Sequence, residues 1–312
     1  YAAYAEYWRS SLAAYDAAQL HPDFVSIQNH PEWVPPDAAF QEACRFLPQE
    51  GTTTVTLPDG STVEARFPGY LEALQAVLAA VAAQGSYGFT APETVNPYAF
   101  SGYASVLDPS MLAAYSYDFY GIDPAAVDTA VLQSVADEVA SYGKPLLQTE
   151  VSNTGFETAV LIQVALTSGG ASGYVHQGLL GSDMTESSTA PFGSDGTTFV
   201  ATPVAHALRH FARFTEPGWI RVDAASSETN LLSSAWTSPD GTQLTVLLIN
   251  QGEVALDVGL AVPEVSSDVL QGARVIRTTF PGVERSVELG ALGAQRVVRL
   301  PSHSLLTVTT KP

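Results

Sequence analysis

The chain has 312 residues, 46% hydrophobic and 14% charged, which is enough apolar material for a sizeable core and excludes wholesale disorder. Its 13 Lys and Arg stand against 32 Asp and Glu, a formal net charge of -19 that repels phosphate backbones and argues against nucleic acid as a partner. The single cysteine, Cys44, rules out an intramolecular disulfide and a cysteine-rich zinc site, and no apolar run reaches the roughly 20 residues that span a bilayer.

The chain opens inside a helical apolar pattern, YAAYAEYWRSSLAAYDAAQ, with no Met and no signal peptide, so a truncated N-terminus is expected. Short apolar strands then alternate with helical stretches, the signature of parallel β/α architecture. Strands are predicted at 24–29 (FVSIQN), 86–91 (SYGFTA), 114–119 (AYSYDF), 145–150 (PLLQTE) and 172–177 (SGYVHQ). Helices are predicted at 1–18, 70–83, 124–142, 156–167 and 203–214, with Pro124 and Pro203 in first turns that tolerate proline. A hairpin is predicted at 52–67, turning at Pro58-Asp59-Gly60. From about Gly218 the pattern turns to short β runs, WIRVDAA, NLLSSAW, TQLTVLLIN, ARVIRTTF and SLLTVTT, separated by turn signals. That spacing predicts an antiparallel sandwich, so the chain divides into 1–217 (β/α) and 218–312 (all-β).

Parallel β/α barrels carry their chemistry at the C-terminal ends of the strands. Those ends here hold Asn29, His30, Glu32 and Trp33, then Asp118 and Tyr120, then Glu150, then His176 and Gln177. A carboxylate, an amide, aromatic rings and an imidazole converging on one mouth suit sugar chemistry. Tyr98 and Tyr103 are read as loop aromatics able to stack on a sugar ring. The pair His206 and His210 shares one helical face but lacks the Glu that zinc proteases place after the first His, so a packed or solvated face is expected. Nucleophile-elbow, Walker A, dinucleotide and EF-hand patterns do not occur, and no cofactor or metal is called for.

At these residues the sequence resembles glycoside hydrolase family 30. YAEYWRSSLAAYDAA followed by PDFVSIQNHPEW is similar to the family's helix leading into the acid/base strand, which usually ends Asn-Glu-Pro. GKPLLQTEVS is similar to its nucleophile strand, HFARFTEPGWIRVDA to its barrel–sandwich joint, and SLLTVTT to its last sandwich strand. The resemblance implies an incomplete (β/α)8 TIM barrel, about five of eight strands, followed by a C-terminal antiparallel β-sandwich. It implies retaining hydrolysis of a β-linked glycan, xylan-type favoured, by a secreted or extracellular enzyme with Glu150 as nucleophile. Asn29 would bond the sugar 2-hydroxyl, Tyr120 would hold Glu150 or simply pack, and Trp33, Asp118 and Gln177 would face a polysaccharide or oligosaccharide substrate.

The sequence departs from the family at the acid/base, where His30 replaces the usual Glu. Three readings stand: His30 shuttles the proton, Glu32 serves instead, or acid catalysis is lost and the chain is a carbohydrate-binding relic. Glu32 also reads as a carboxylate that stabilises its loop. The 218–312 segment as an independent binding module is a further alternative. An arginine of the kind that binds glucuronate is not evident between residues 180 and 202, against strict dependence on that side group.

Overall fold

The computed structural model describes residues 1–34, 44–57, 59–85, 87–262, 270 and 272–312. Its packing forms two compact units, Tyr1–Val151 with Ser168–Val175, and Ser152–Thr167 with His176–Pro312. This grouping differs from the change of pattern near residue 217, because two helices that precede it pack with the later strands.

The first unit contains α1 (Ala2–Ala17), β1 (Phe24–Ser26), the hairpin β2 (Gly51–Thr56) and β3 (Thr62–Phe67), α2 (Tyr70–Val81), β4 (Gly88–Thr94), α3 (Pro97–Ala104), β5 (Ala114–Tyr117), α4 (Thr129–Ser141), β6 (Leu146–Gln148) and β7 (Gly173–Tyr174). The strands β1-β4-β5-β6-β7 pair in that order, all parallel, as a curled half-barrel. The central strand β5 is buried at every residue, as parallel strands covered on both faces are. On α2, Tyr70, Ala73, Leu74, Val77 and Val81 form one buried stripe at helical spacing. The five strands and the helices around them match the periodicity of the sequence, with shifted boundaries. Helix α4 begins five residues after Pro124, because the Asp128 carboxylate accepts the Ala130 and Val131 N–H groups and caps the first turn there. Strand β4 runs on to Thr94, past Pro92. The hairpin forms as expected with Gly60 at φ 84°, while Pro58 of its turn and Ser86 of the second predicted strand lie outside the described residues. Helix α3 was not anticipated: Asn96 caps it by accepting the Tyr98 N–H. Tyr98 and Tyr103 therefore lie on a helix rather than a loop. Tyr103 is a core residue, its hydroxyl donating to the Phe46 carbonyl at 2.6 Å.

The second unit contains α5 (Gly155–Leu166), β8 (Leu180–Gly181), β9 (Phe192–Ser194), β10 (Phe199–Ala201), α6 (Pro203–Ala212), β11 (Ile220–Val222), β12 (Leu231–Thr237), β13 (Leu244–Asn250), β14 (Leu256–Gly259), β15 (Arg274–Thr279), β16 (Val287–Ala291), β17 (Val297–Leu300) and β18 (Ser304–Thr309). Strands β11-β12-β13-β18-β15-β16 form one antiparallel sheet, β14 pairs with β17, and β10-β9-β8 make a small separate sheet. Alternation along the strands splits the large sheet into two faces. Leu244, Val246, Leu248, Val275, Leu306 and Val308 share a core with Val298 and Leu300 of β17. The opposite face meets α5 and α6. There Ser234 donates to Gln163 at 2.6 Å, Phe211 meets Trp236 edge-on, and the His210 nitrogens bond the Thr307 and Thr278 hydroxyls at 2.7 and 2.9 Å. Strands β13 and β18, covered on both sides, are buried at every position. At Gly155 a Cβ would lie 2.4 Å from the Pro203 Cβ, so glycine is what lets α5 and α6 begin side by side. Among the described residues no helix is long and apolar enough to cross a membrane.

Candidate active site

Backbone hydrogen bonds continue past the strand ends and stitch four of them together. Thr149 N–H donates to the Tyr117 carbonyl at 3.0 Å and Phe119 N–H to the Glu150 carbonyl at 3.0 Å, extending the β5–β6 pairing. Asp118 N–H donates to the Thr94 carbonyl at 2.8 Å, and His30 N–H to the Glu93 carbonyl at 3.1 Å. His30, Asp118 and Glu150 thus follow β1, β5 and β6, and Glu93 is the penultimate residue of β4, all on one rim. His30 and Glu93 have φ of 47° and 58°, a left-handed conformation that is uncommon for residues other than glycine and concentrates at functional sites.

The side chains converge. His30 Nε2 lies 2.8 Å from Asp118 Oδ2, and Thr149 Oγ1 donates to Asp118 Oδ1 at 2.8 Å. The Tyr120 hydroxyl donates to Glu150 Oε1 at 2.7 Å. Tyr120 and Trp33 meet the His30 ring edge-on, at centroid distances of 5.4 and 6.5 Å. A ring nitrogen of His30 and one carboxylate oxygen each of Asp118 and Glu150 all lie within 4.8 Å of one another. Asp118 is fully buried, whereas His30 and Glu150 are half-buried and open to a ligand.

Crowded carboxyls set the electrostatics. Burial works against a charged His30, but the hydrogen bond and field of Asp118, with the fields of Glu150 and Glu32, outweigh it and raise its pKa. Burial raises the Asp118 pKa despite its bonds from His30 and Thr149, and Glu150 raises it further. Burial pushes Glu93 up to about 7, and the charges of Asp118 and Glu150 raise it further.

Of the residues singled out from sequence, His30, Asp118, Tyr120 and Glu150 come together, with Trp33 beside them. Glu32 accepts the Val95 N–H at 2.7 Å, and burial raises its pKa. That bond ties its carboxylate to the loop between β4 and α3. Asn29 is exposed next to His30, and Gln177 is exposed in the other compact unit, in the segment after β7. Sequence reasoning missed Glu93 and the part played by Thr149. The proline before Glu93 reads as a strand end, which hid a carboxyl at a true strand terminus.

By sequence, no family model and no curated protein matches the chain. Solved structures do match. A family 30 endoxylanase from Clostridium papyrosolvens aligns over 99% of this chain and 70% of its own, at 17% identity and a TM-score of 0.69. A family 30 subfamily 8 xylanase from Clostridium acetobutylicum aligns over 99% and 71%, at 17% identity and a TM-score of 0.70. A conserved exported protein from Bacteroides fragilis aligns over 98% and 69%, at 14% identity and a TM-score of 0.73. Over nearly its whole length, the chain has the fold of the glycoside hydrolase family 30 xylanases.

Proposed function

We propose that the chain belongs to a retaining glycoside hydrolase that cleaves a β-linked glycan, xylan-type favoured, through a glycosyl-enzyme intermediate on Glu150. The observation that carries this is Glu150 at a strand end, oriented by Tyr120, with a His30 nitrogen within 4.8 Å. That span is close to the roughly 5–5.5 Å separating the two catalytic groups of retaining enzymes. Asp118 occupies Nε2 of His30, so the proton for the leaving group sits on Nδ1. A Glu150 oxygen attacks the anomeric carbon as the bond to the leaving oxygen breaks, and His30 protonates that oxygen. Neutral His30 then takes a proton from water, whose oxygen displaces Glu150 and restores the imidazolium. The raised pKa of His30 supports this role, because it keeps the acid form populated towards neutrality. The bond from Val95 to Glu32 favours the loop-stabilising part for that carboxylate. On this reading residues 1–217 are the C-terminal part of a (β/α)8 catalytic barrel and 218–312 its side β-sandwich. Secretion follows from a polymeric substrate, in keeping with the exported Bacteroides protein.

The second reading, a carbohydrate-binding relic, draws on the imidazole standing where retaining enzymes use a carboxylic acid. Dinitrophenyl 2-fluoro glycosides of xylose, glucose and galactose separate the two, because their leaving group needs no acid. A mass increase mapping to Glu150 is expected, with the xyloside reacting fastest. A folded chain that takes up no label while binding xylo-oligosaccharides would overturn the hydrolase in favour of the relic.

A further inference from the structure

We propose that His30, Asp118 and Glu150 bind one divalent transition-metal cation, zinc in the first instance. The three follow β1, β5 and β6 on one rim of the sheet and offer one nitrogen and two carboxylate oxygens, all within 4.8 Å of one another. Zinc holds such atoms at about 2.0–2.2 Å, which sets tetrahedral ligands roughly 3.4 Å apart. The His30–Asp118 distance of 2.8 Å lies just under that spacing, and the 4.8 Å limit on the other pairs lies above it. An imidazole with carboxylates suits zinc, manganese, cobalt or nickel better than calcium or magnesium, which prefer all-oxygen shells.

The surroundings have the features that metal ligands need. Thr149 fixes the far oxygen of Asp118, and Tyr120 fixes one oxygen of Glu150, so both carboxylates are aimed before any ion arrives. Backbone bonds hold His30 from both sides, its N–H on Glu93 and its carbonyl taking the Trp33 N–H at 3.1 Å. The field of Glu32 also reaches the imidazole. Three protein ligands leave a fourth position for water or a ligand oxygen. The site shares residues with the hydrolase reading but does not rest on it. Bound metal would tie up the Glu150 carboxylate that hydrolysis uses as its nucleophile, so it would act as an inhibitor.

The chain, stripped with EDTA, is titrated calorimetrically with zinc chloride alone. One zinc per chain is expected, weakened in His30→Ala and in Glu150→Gln by more than about tenfold, the loss expected even for removing an outer-shell partner. His21→Ala, at an exposed pair with Asp16, is expected to leave zinc binding unchanged. Cobalt added to the unaltered chain is expected to give visible ligand-field bands, which needs no variant to fold. No zinc uptake and no cobalt bands in the folded chain overturn the proposal, as does uptake that both variants retain in full. Zinc should also block labelling of Glu150 by the 2-fluoro xyloside, and labelling unaffected by saturating zinc counts against the site. Zinc binding in a chain that is never labelled supports the metal site while removing the hydrolase.

Discussion

His210 is the residue whose titration should govern how the second unit responds to acid. It lies on α6, fully buried, with one nitrogen on the Thr307 hydroxyl and the other on that of Thr278. Burial, with the nearby charges of His206 and Arg209, lowers its pKa from 6.5 to about 3. The unfolded chain, titrating near 6.5, therefore takes up the proton first. Stability is fully present above 6.5 and is lost as pH falls towards 3, at up to about 1.36 kcal/mol per pH unit. Between about pH 7.5 and 5 the loss is about 2 kcal/mol. His210→Gln keeps a neutral hydrogen-bonding side chain and removes the titration. At about pH 7.5 the variant should be less stable by about 1–2 kcal/mol for the altered bonds and packing. Towards pH 5 the gap should close, because only the wild type pays the proton term. Urea denaturation followed by circular dichroism at both pH values measures the four stabilities. If the gap between wild type and variant stays the same at both, the buried neutral imidazole is not the source and the reasoning fails.

Four further outcomes follow from the geometry. Tyr120→Phe removes a bond to a carboxylate, about 1.5–3 kcal/mol, so labelling of Glu150 should slow by about tenfold or more, and an unchanged rate would exclude a positioning role. His30→Ala should slow glycosides with poor leaving groups by about 10²–10⁴-fold while sparing the first step with dinitrophenyl glycosides; equal losses on both would remove His30 as the acid. Asp118→Asn takes away the partner that raises the His30 pKa, so the alkaline limb of the activity profile should move to lower pH, and an unmoved limb would sever that link. Gly155→Ala places a Cβ 2.4 Å from Pro203, and a loss of about 1–3 kcal/mol is expected in thermal melts; an unchanged melt would mean that α5 and α6 can part freely.

The regular parts of the fold were legible because burial leaves a period in the sequence. The stripe from Tyr70 to Val81 and the apolar run of β5 needed no tertiary information. Local polar chemistry was harder to read. Asp128 fixed the start of α4 by capping and Asn96 nucleated α3, yet neither disturbs the apolar pattern. In the site, Glu150, His30, Asp118 and Tyr120 stood out as strand-end residues. Their mutual distances did not, since His30 and Asp118 lie 88 residues apart in the chain and meet only through strand order. Glu93 escaped because its proline neighbour signals a break, whereas the strand continues through it.

The two-sided burial of β13 and β18 bears on how the C-terminal segment can be studied by itself. A fragment starting at residue 218 would keep every strand of the large sheet but leave behind both helices that roof one face. Leu247, Ile249 and Leu305, each now fully shielded, would become a wet apolar wall. Such a fragment is expected to clump or to recruit detergent, and sugar or dye retained by it would report stickiness rather than recognition. A fragment that carries residues 152–167 and 203–214 along with the strands is the smallest piece whose silence, or whose binding, would mean anything.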